Sequence, residues 1–136
     1  MLRRLATTLA VTAAVSGIAS PALACPPPGG EDKLTITYRE HQDAAERVHT
    51  LECHPAGGTH PAAQEACDAL DNAVRGVRNP WQPVSKDAMC TQAYGGPQTA
   101  RVTGTWSGRP VKADFSRTNG CEVARWDSVT PALPAV

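Results

Sequence analysis

Aromatic side chains are scarce in this chain: one Phe, two Tyr and three Trp among 136 residues. So few large apolar groups exclude a thick core, and thin-cored exported domains commonly add disulfides to make up the difference. Neither sign of charge is in surplus, with 13 Lys and Arg against 13 Asp and Glu. No basic stripe is available, which argues against nucleic acid or an anionic membrane surface as a partner. Catalytic signatures are missing as well: the chain has no GxSxG, no HExxH and no glycine-rich phosphate loop. The four histidines, His41, His49, His54 and His60, stand in no such motif. An enzyme is not expected, and neither is a cofactor. The length allows one domain, and no internal repeat is visible.

What is there begins at the N-terminus. Met1-Leu2-Arg3-Arg4 precedes an apolar stretch from Leu5 to Ala19, then Ser20-Pro21 and the small-residue signal Ala22-Leu23-Ala24. That is the pattern of a secretory signal peptide over 1–24, and it predicts a secreted, extracellular protein. Thr7, Thr8, Thr12, Ser16 and Gly17 make the run too short and too diluted for a membrane anchor, which needs about 20 apolar residues. Cleavage removes Arg3 and Arg4, leaving 11 Lys and Arg against 13 Asp and Glu, a net charge of −2.

The five cysteines are Cys25, Cys53, Cys67, Cys90 and Cys121. Cys25 would be the first residue after cleavage, with three possible fates: lipid attachment, an intermolecular disulfide or a free thiol. Ala22-Leu23-Ala24 matches a lipobox poorly, so membrane attachment is expected only if Cys25 is nevertheless lipidated. The other four allow three connectivities, and their order favours consecutive pairing. Such loops would add about 3 and about 4 kcal/mol by the chain-entropy estimate. Cys53, His54, His60 and Cys67 are all zinc-ligand types, but the chain lacks CxxC and HxxxH spacing and export favours disulfides, so no metal is expected.

Residues 25–33, rich in Pro and Gly, read as a flexible N-terminal arm, followed by one domain over 34–136. Leu34, Ile36 and Tyr38 alternate with Thr35 and Thr37, the period of a half-buried strand. A second strand is predicted from Arg47, ending at Cys53. Pro55 to Gly58 is a turn, and Pro61 suits the first position of a helix. Ala63, Ala66, Cys67, Leu70, Val74 and Val77 would line that helix's buried face. Met89 to Pro97 has no period and reads as a loop. Thr99–Trp106 and 110–115 read as a hairpin turning across Ser107, Gly108 and Arg109, with a last strand or short helix over 119–126. The class is α+β: an antiparallel sheet of about five strands with one main helix on a face, a short second helix and two disulfides.

The run Cys53-His54-Pro55-Ala56-Gly57-Gly58-Thr59-His60-Pro61-Ala62-Ala63, continuing to Ala66-Cys67, resembles the Streptomyces subtilisin inhibitor family. The likeness continues through Met89-Cys90-Thr91-Gln92-Ala93-Tyr94 and Gly104-Thr105-Trp106-Ser107-Gly108 to Phe115, Asn119, Cys121 and Glu122. It implies disulfides Cys53 to Cys67 and Cys90 to Cys121, and an inhibitory loop with its reactive bond between Gln92 (P1) and Ala93 (P1′). Cys90 and Thr91 then become P3 and P2, Met89 P4 and Tyr94 P2′, while Asn119 matches a position that braces the loop. The implied partner is a subtilisin-like serine protease, with a trypsin-like protease as a further target, and the resemblance also suggests a homodimer through the sheet.

Three departures from the family pattern stand out. Gln92 is neither the large apolar residue that best suits a subtilisin pocket nor the Lys or Arg of trypsin inhibitors, so weakened binding is expected. Tyr94 is followed by Gly95-Gly96-Pro97 where the family has Asp-Pro, and the extra glycine is expected to loosen the primed side. Cys25 has no counterpart in the family core. The alternative reading is a non-inhibitory binding module or transglutaminase substrate of the same fold, offering Gln92 or Gln98.

Overall fold

The alternation of Leu34, Ile36 and Tyr38 builds the centre of the molecule. The computed structural model describes residues 31–136; the expected signal peptide, Cys25 and most of the expected arm lie outside them. Strand β1 (Asp32–Arg39) begins two residues earlier than the pattern predicts and points Asp32, Leu34, Ile36 and Tyr38 inward. It lies between β2 (Arg47–Cys53) and β4 (Thr99–Trp106), antiparallel to both. The two-residue β3 (Gly57–Gly58) and β5 (Arg109–Phe115) complete a five-stranded sheet in the order β3-β2-β1-β4-β5. Helices α1 (Ala63–Arg75) and α2 (Gly120–Asp127) supply the rest of the architecture. The α+β class and the strand count match the expectation.

One cluster forms the core. Leu34, Ile36 and Leu51 meet Val102, Trp106, Val111 and Phe115 from the sheet, and Ala66, Cys67 and Leu70 from α1. Trp126 of α2 is fully buried, donates its indole N–H to the Pro134 carbonyl at 2.9 Å and meets Tyr38 edge-on at 6.2 Å. The scarcity of aromatics is offset by placing the largest of them at the junction between sheet, helix and C-terminal segment.

The helix boundaries differ from the expectation at both ends. Pro61 stands before α1 rather than at its first position, and the His60 ring Nδ1 accepts the Ala62 N–H at 3.1 Å there. At the other end the chain turns extended at Gly76, so Val77 lies beyond the helix and is completely exposed. The β4–β5 hairpin is tighter than predicted. Ser107 (φ 50°) and Gly108 (φ 73°) alone form the turn, and Arg109 pairs with Trp106. Positive φ at both central residues is the two-residue turn whose twist suits a hairpin.

His54 staples three elements. Its Nδ1 lies 2.7 Å from Asp32 Oδ2 on β1, and its Nε2 lies 2.8 Å from Asp71 Oδ2 on α1. The hydrogen bond to Asp71, then that to Asp32, raises its pKa above the usual 6.5. Asp32 also accepts the Ser107 N–H through Oδ1, which ties the hairpin turn to the same point.

Candidate functional site: the anchored loop

The two disulfides join Cys53 to Cys67 and Cys90 to Cys121, with Cα separations of 5.6 and 5.3 Å. The first links the end of β2 to α1 and removes both sulfurs from any metal site. The second links α2 to a stretch without regular structure, and it is here that the exposed residues gather. Met89 is wholly exposed and Tyr94 two-thirds exposed, with Thr91, Gln92 and Ala93 also open to solvent between them.

This stretch is exposed but fixed at both ends. On one side of Gln92, Cys90 is bonded to Cys121 and the Thr91 carbonyl accepts the Gly120 N–H at 3.0 Å. On the other side, the Gly95 N–H donates to the Arg117 carbonyl at 2.7 Å, and the Gly95 carbonyl accepts the Arg117 Nε–H at 3.1 Å. Gln92, Ala93 and Tyr94 are therefore carried between two anchors, both supplied by residues 117–121. Those residues are placed by β5 running into α2, which Arg125 ties down. The Arg125 Nη1 donates to the Asp114 carbonyl at 2.7 Å and its Nε to the Pro80 carbonyl at 2.9 Å, and its guanidinium lies 4.1 Å from the Phe115 ring centre.

Two glycines permit the close approach. A Cβ at Gly120 would come within 2.1 Å of Thr91 Oγ1, and one at Gly95 within 2.5 Å of Val123 Cγ2. The expectation that Gly95 loosens the loop is therefore corrected. Its missing side chain lets the backbone sit against Arg117 and α2, where both its N–H and its carbonyl are bonded.

Asn119 supports the loop through α2. Its Oδ1 accepts the Glu122 N–H at 3.0 Å, capping α2. Among the described residues its side chain makes no hydrogen bond to a loop carbonyl; it orients the helix whose first N–H, that of Gly120, holds the loop. The resemblance did not point to Arg117, Gly95 or Gly120. For Arg117 a signal was present: positions 111, 113 and 115 face inward, and the same two-residue step makes 117 the next inward position.

Among the described residues, two of the remaining candidates are held by partners within the fold. His60 Nε2 is 3.1 Å from the Ala132 carbonyl, and His54 is held by its two carboxylates. An open groove of about 920 Å³ lies between the end of α1, residues 76–88 and α2, but no histidine lines it.

An exposed segment without regular structure, fastened at both ends to a small disulfide-bonded scaffold, defines a protein that presents its own backbone to a partner already shaped for binding. Residues 31–119 match the family described as subtilisin inhibitor-like, and the chain belongs to that family. It is 38% identical over 126 residues to a probable subtilase-type protease inhibitor of Streptomyces avermitilis, covering 84% of each chain. A subtilase-type protease inhibitor of Streptomyces coelicolor is 37% identical over 131 residues, covering 87% of this chain and 88% of the relative. Among solved structures, Streptomyces caespitosus sermetstatin, determined in complex with Bacillus licheniformis subtilisin, aligns at 24% identity with a TM-score of 0.49, over 76% of this chain and all of that one.

Proposed function

We propose that this protein is a secreted inhibitor of subtilisin-type serine proteases, rather than an enzyme, and that its reactive bond is Gln92–Ala93. The observation that carries the reading is the fixing of the loop on both sides of that bond, with Gln92, Ala93 and Tyr94 left open for a protease cleft. Ordering a flexible peptide on binding costs entropy; here the disulfide and the three backbone anchors have already removed that freedom. A contact of about 1,600 Å² then suffices for tight association.

The protease serine attacks the Gln92 carbonyl and the amine of Ala93 is the leaving group. Cys90, on one side of the cut, stays bonded to Cys121 on the other, and Gly95 stays hydrogen-bonded to Arg117. The amine remains beside the acyl carbon and the bond re-forms. Met89 and Tyr94, both exposed, extend the contact on either side as P4 and P2′.

Two further parts of the proposal concern the whole molecule. The face of the sheet opposite the core carries Thr35, Thr37, Thr50 and Thr103 and the half-exposed Val48, and among the described residues no helix lies across it. This is the face through which two copies would pair. Export follows from the leader-like residues 1–24. The decisive test is titration of purified subtilisin with the protein, followed by N-terminal sequencing of the nicked form. The expected new N-terminus is Ala93; absence of inhibition, or a cut elsewhere, overturns the reading.

A further inference from the structure

Arg117 is 6% exposed, an unusual place for a guanidinium. Burying this charge is costly unless donors are engaged, and its Nε and Nη1 both are. Its Nη1 donates to Asp127 Oδ1 at 2.8 Å, its planar group lies 5.7 Å from the centre of the buried Trp126 ring, and its Nε donates to the Gly95 carbonyl at 3.1 Å. The same residue's carbonyl accepts the Gly95 N–H. Packing alone calls for an apolar side chain at this inward position. What the arginine adds is a rigid fork with one prong on the loop and another on α2.

We propose that Arg117 is the positioning residue for the arm that follows the reactive bond: by fixing the Gly95 carbonyl it sets how completely a cut Gln92–Ala93 bond is resealed. The inference rests on the inhibitor reading above. Cutting adds one water, giving a carboxylate at Gln92 and an amine at Ala93, and resealing expels that water. In the cut form, a clamp at Gly95 leaves only Ala93 and Tyr94 free, so the amine stays near its partner. Without the side-chain half of the clamp the arm is held by the Gly95 N–H bond to the Arg117 carbonyl alone, so it opens towards Pro97 more often and gains conformational freedom that only the cut form has. The ratio of cut to intact protein at equilibrium should therefore rise. The disulfide and the Gly120 contact hold the other arm and do not depend on Arg117.

The experiment incubates pure intact and pure nicked protein separately with catalytic amounts of subtilisin until both reach the same cut-to-intact ratio, read by chromatography. For Arg117→Met the ratio is expected to rise about tenfold, the scale of freeing one residue's backbone in the cut form. Arg117→Lys, which keeps a cation near Asp127 but has no planar fork to aim at Gly95, should stay nearer to Arg117→Met than to the parent. A purely structural arginine would lower the unfolding temperature in both variants and leave the ratio unchanged, and that result overturns the proposal. Should Arg117→Met fail to fold, Asp127→Asn at the exposed end of the fork serves instead: a several-fold rise supports the proposal and no change overturns it. A parent protein that neither inhibits subtilisin nor is cut at Gln92–Ala93 removes the inhibitor reading and this inference with it. A parent that inhibits, with variants of unchanged ratio, removes the Arg117 assignment alone.

Discussion

The carbonyl of Thr91 accepts the N–H of Gly120 at 3.0 Å, so the residue before Gln92 is held by the first residue of α2. A Cβ at position 120 would lie 2.1 Å from Thr91 Oγ1 and 3.3 Å from its Cβ, leaving no room for even one methyl group. Gly120→Ala should improve helix propensity by up to about 1 kcal/mol and leave the fold intact. It should nevertheless push the loop outward and weaken subtilisin inhibition by about tenfold or more. Adding Thr91→Ala removes the obstructing oxygen, so the double variant should recover part of the loss, a coupling expected between touching residues. Inhibition constants for the parent, both single variants and the double variant check this.

The residue at P1 fills the protease's primary pocket, whereas the scaffold serves every target alike. Gln92→Lys should therefore create or strongly improve trypsin inhibition, because its ammonium reaches the acidic group at the base of the trypsin pocket. Inhibition of subtilisin should change much less. Paired titrations against the two proteases decide the matter, and a variant no better than the parent against trypsin would point to the wrong bond.

The two disulfides should fail in different ways. Replacing Cys90 and Cys121 together by Ser frees one arm of the loop and leaves the cut halves joined only by the β1–β4 pairing and the core, so the protein should turn from inhibitor into substrate and be consumed by subtilisin. Replacing Cys53 and Cys67 together should cost about 3 kcal/mol of stability by the chain-entropy estimate while the folded molecules still inhibit. Neither bond involves Cys25. Cys25→Ser is accordingly expected to fold and inhibit as the parent does. Thermal melts alongside inhibition assays separate these outcomes.

His54 gives the fold a pH dependence with a definite sign. Its folded pKa is raised by hydrogen bonds to Asp71 and Asp32, so its contribution is fully present below the ordinary value of 6.5. That contribution is lost as the pH climbs through the raised folded value. The ring is half exposed, so screening by water keeps the effect modest. Asn tolerates the left-handed backbone at this position, where φ is 60°, and makes a suitable reference. The melting temperature of the parent relative to His54→Asn should be highest in mildly acidic buffer and should converge on the reference in alkaline buffer. A gap that widened with pH would contradict the geometry.

Much of this architecture is legible in the sequence because it rests on short-range patterns. The two-residue alternation around Ile36 and Val102, the three- and four-residue steps from Ala66 to Leu70, and the turn at Ser107-Gly108 each specify an element locally. The loop itself was visible as a stretch without period beside a cysteine. Its supports were not, because they depend on pairs far apart in the chain. Nothing near Gly95 announces that Arg117 will bond it, and nothing near Thr91 announces Gly120. Glycine reads locally as looseness, yet at positions 95 and 120 the missing side chain allows tight contact. Asn119 lay in the right neighbourhood but is spent on capping α2, a role its position before a helix could have suggested. Val77 extended the apolar period on paper, but the chain leaves the helix at Gly76.

The strand order has a bearing on how this molecule comes into being. The middle of the sheet is the earliest strand among the described residues, and its second neighbour, β4, is made much later; Asp32 and Ser107, which touch across that seam, are 75 residues apart. Joining such distant partners requires closing a long loop before any contact rewards it, which slows folding. A nascent chain therefore emerges with its central strand able to pair only with β2, and the other edge of that strand stays open until almost everything up to the hairpin has been synthesised. Late completion gives a protein of this layout a window in which it can be passed through a narrow channel.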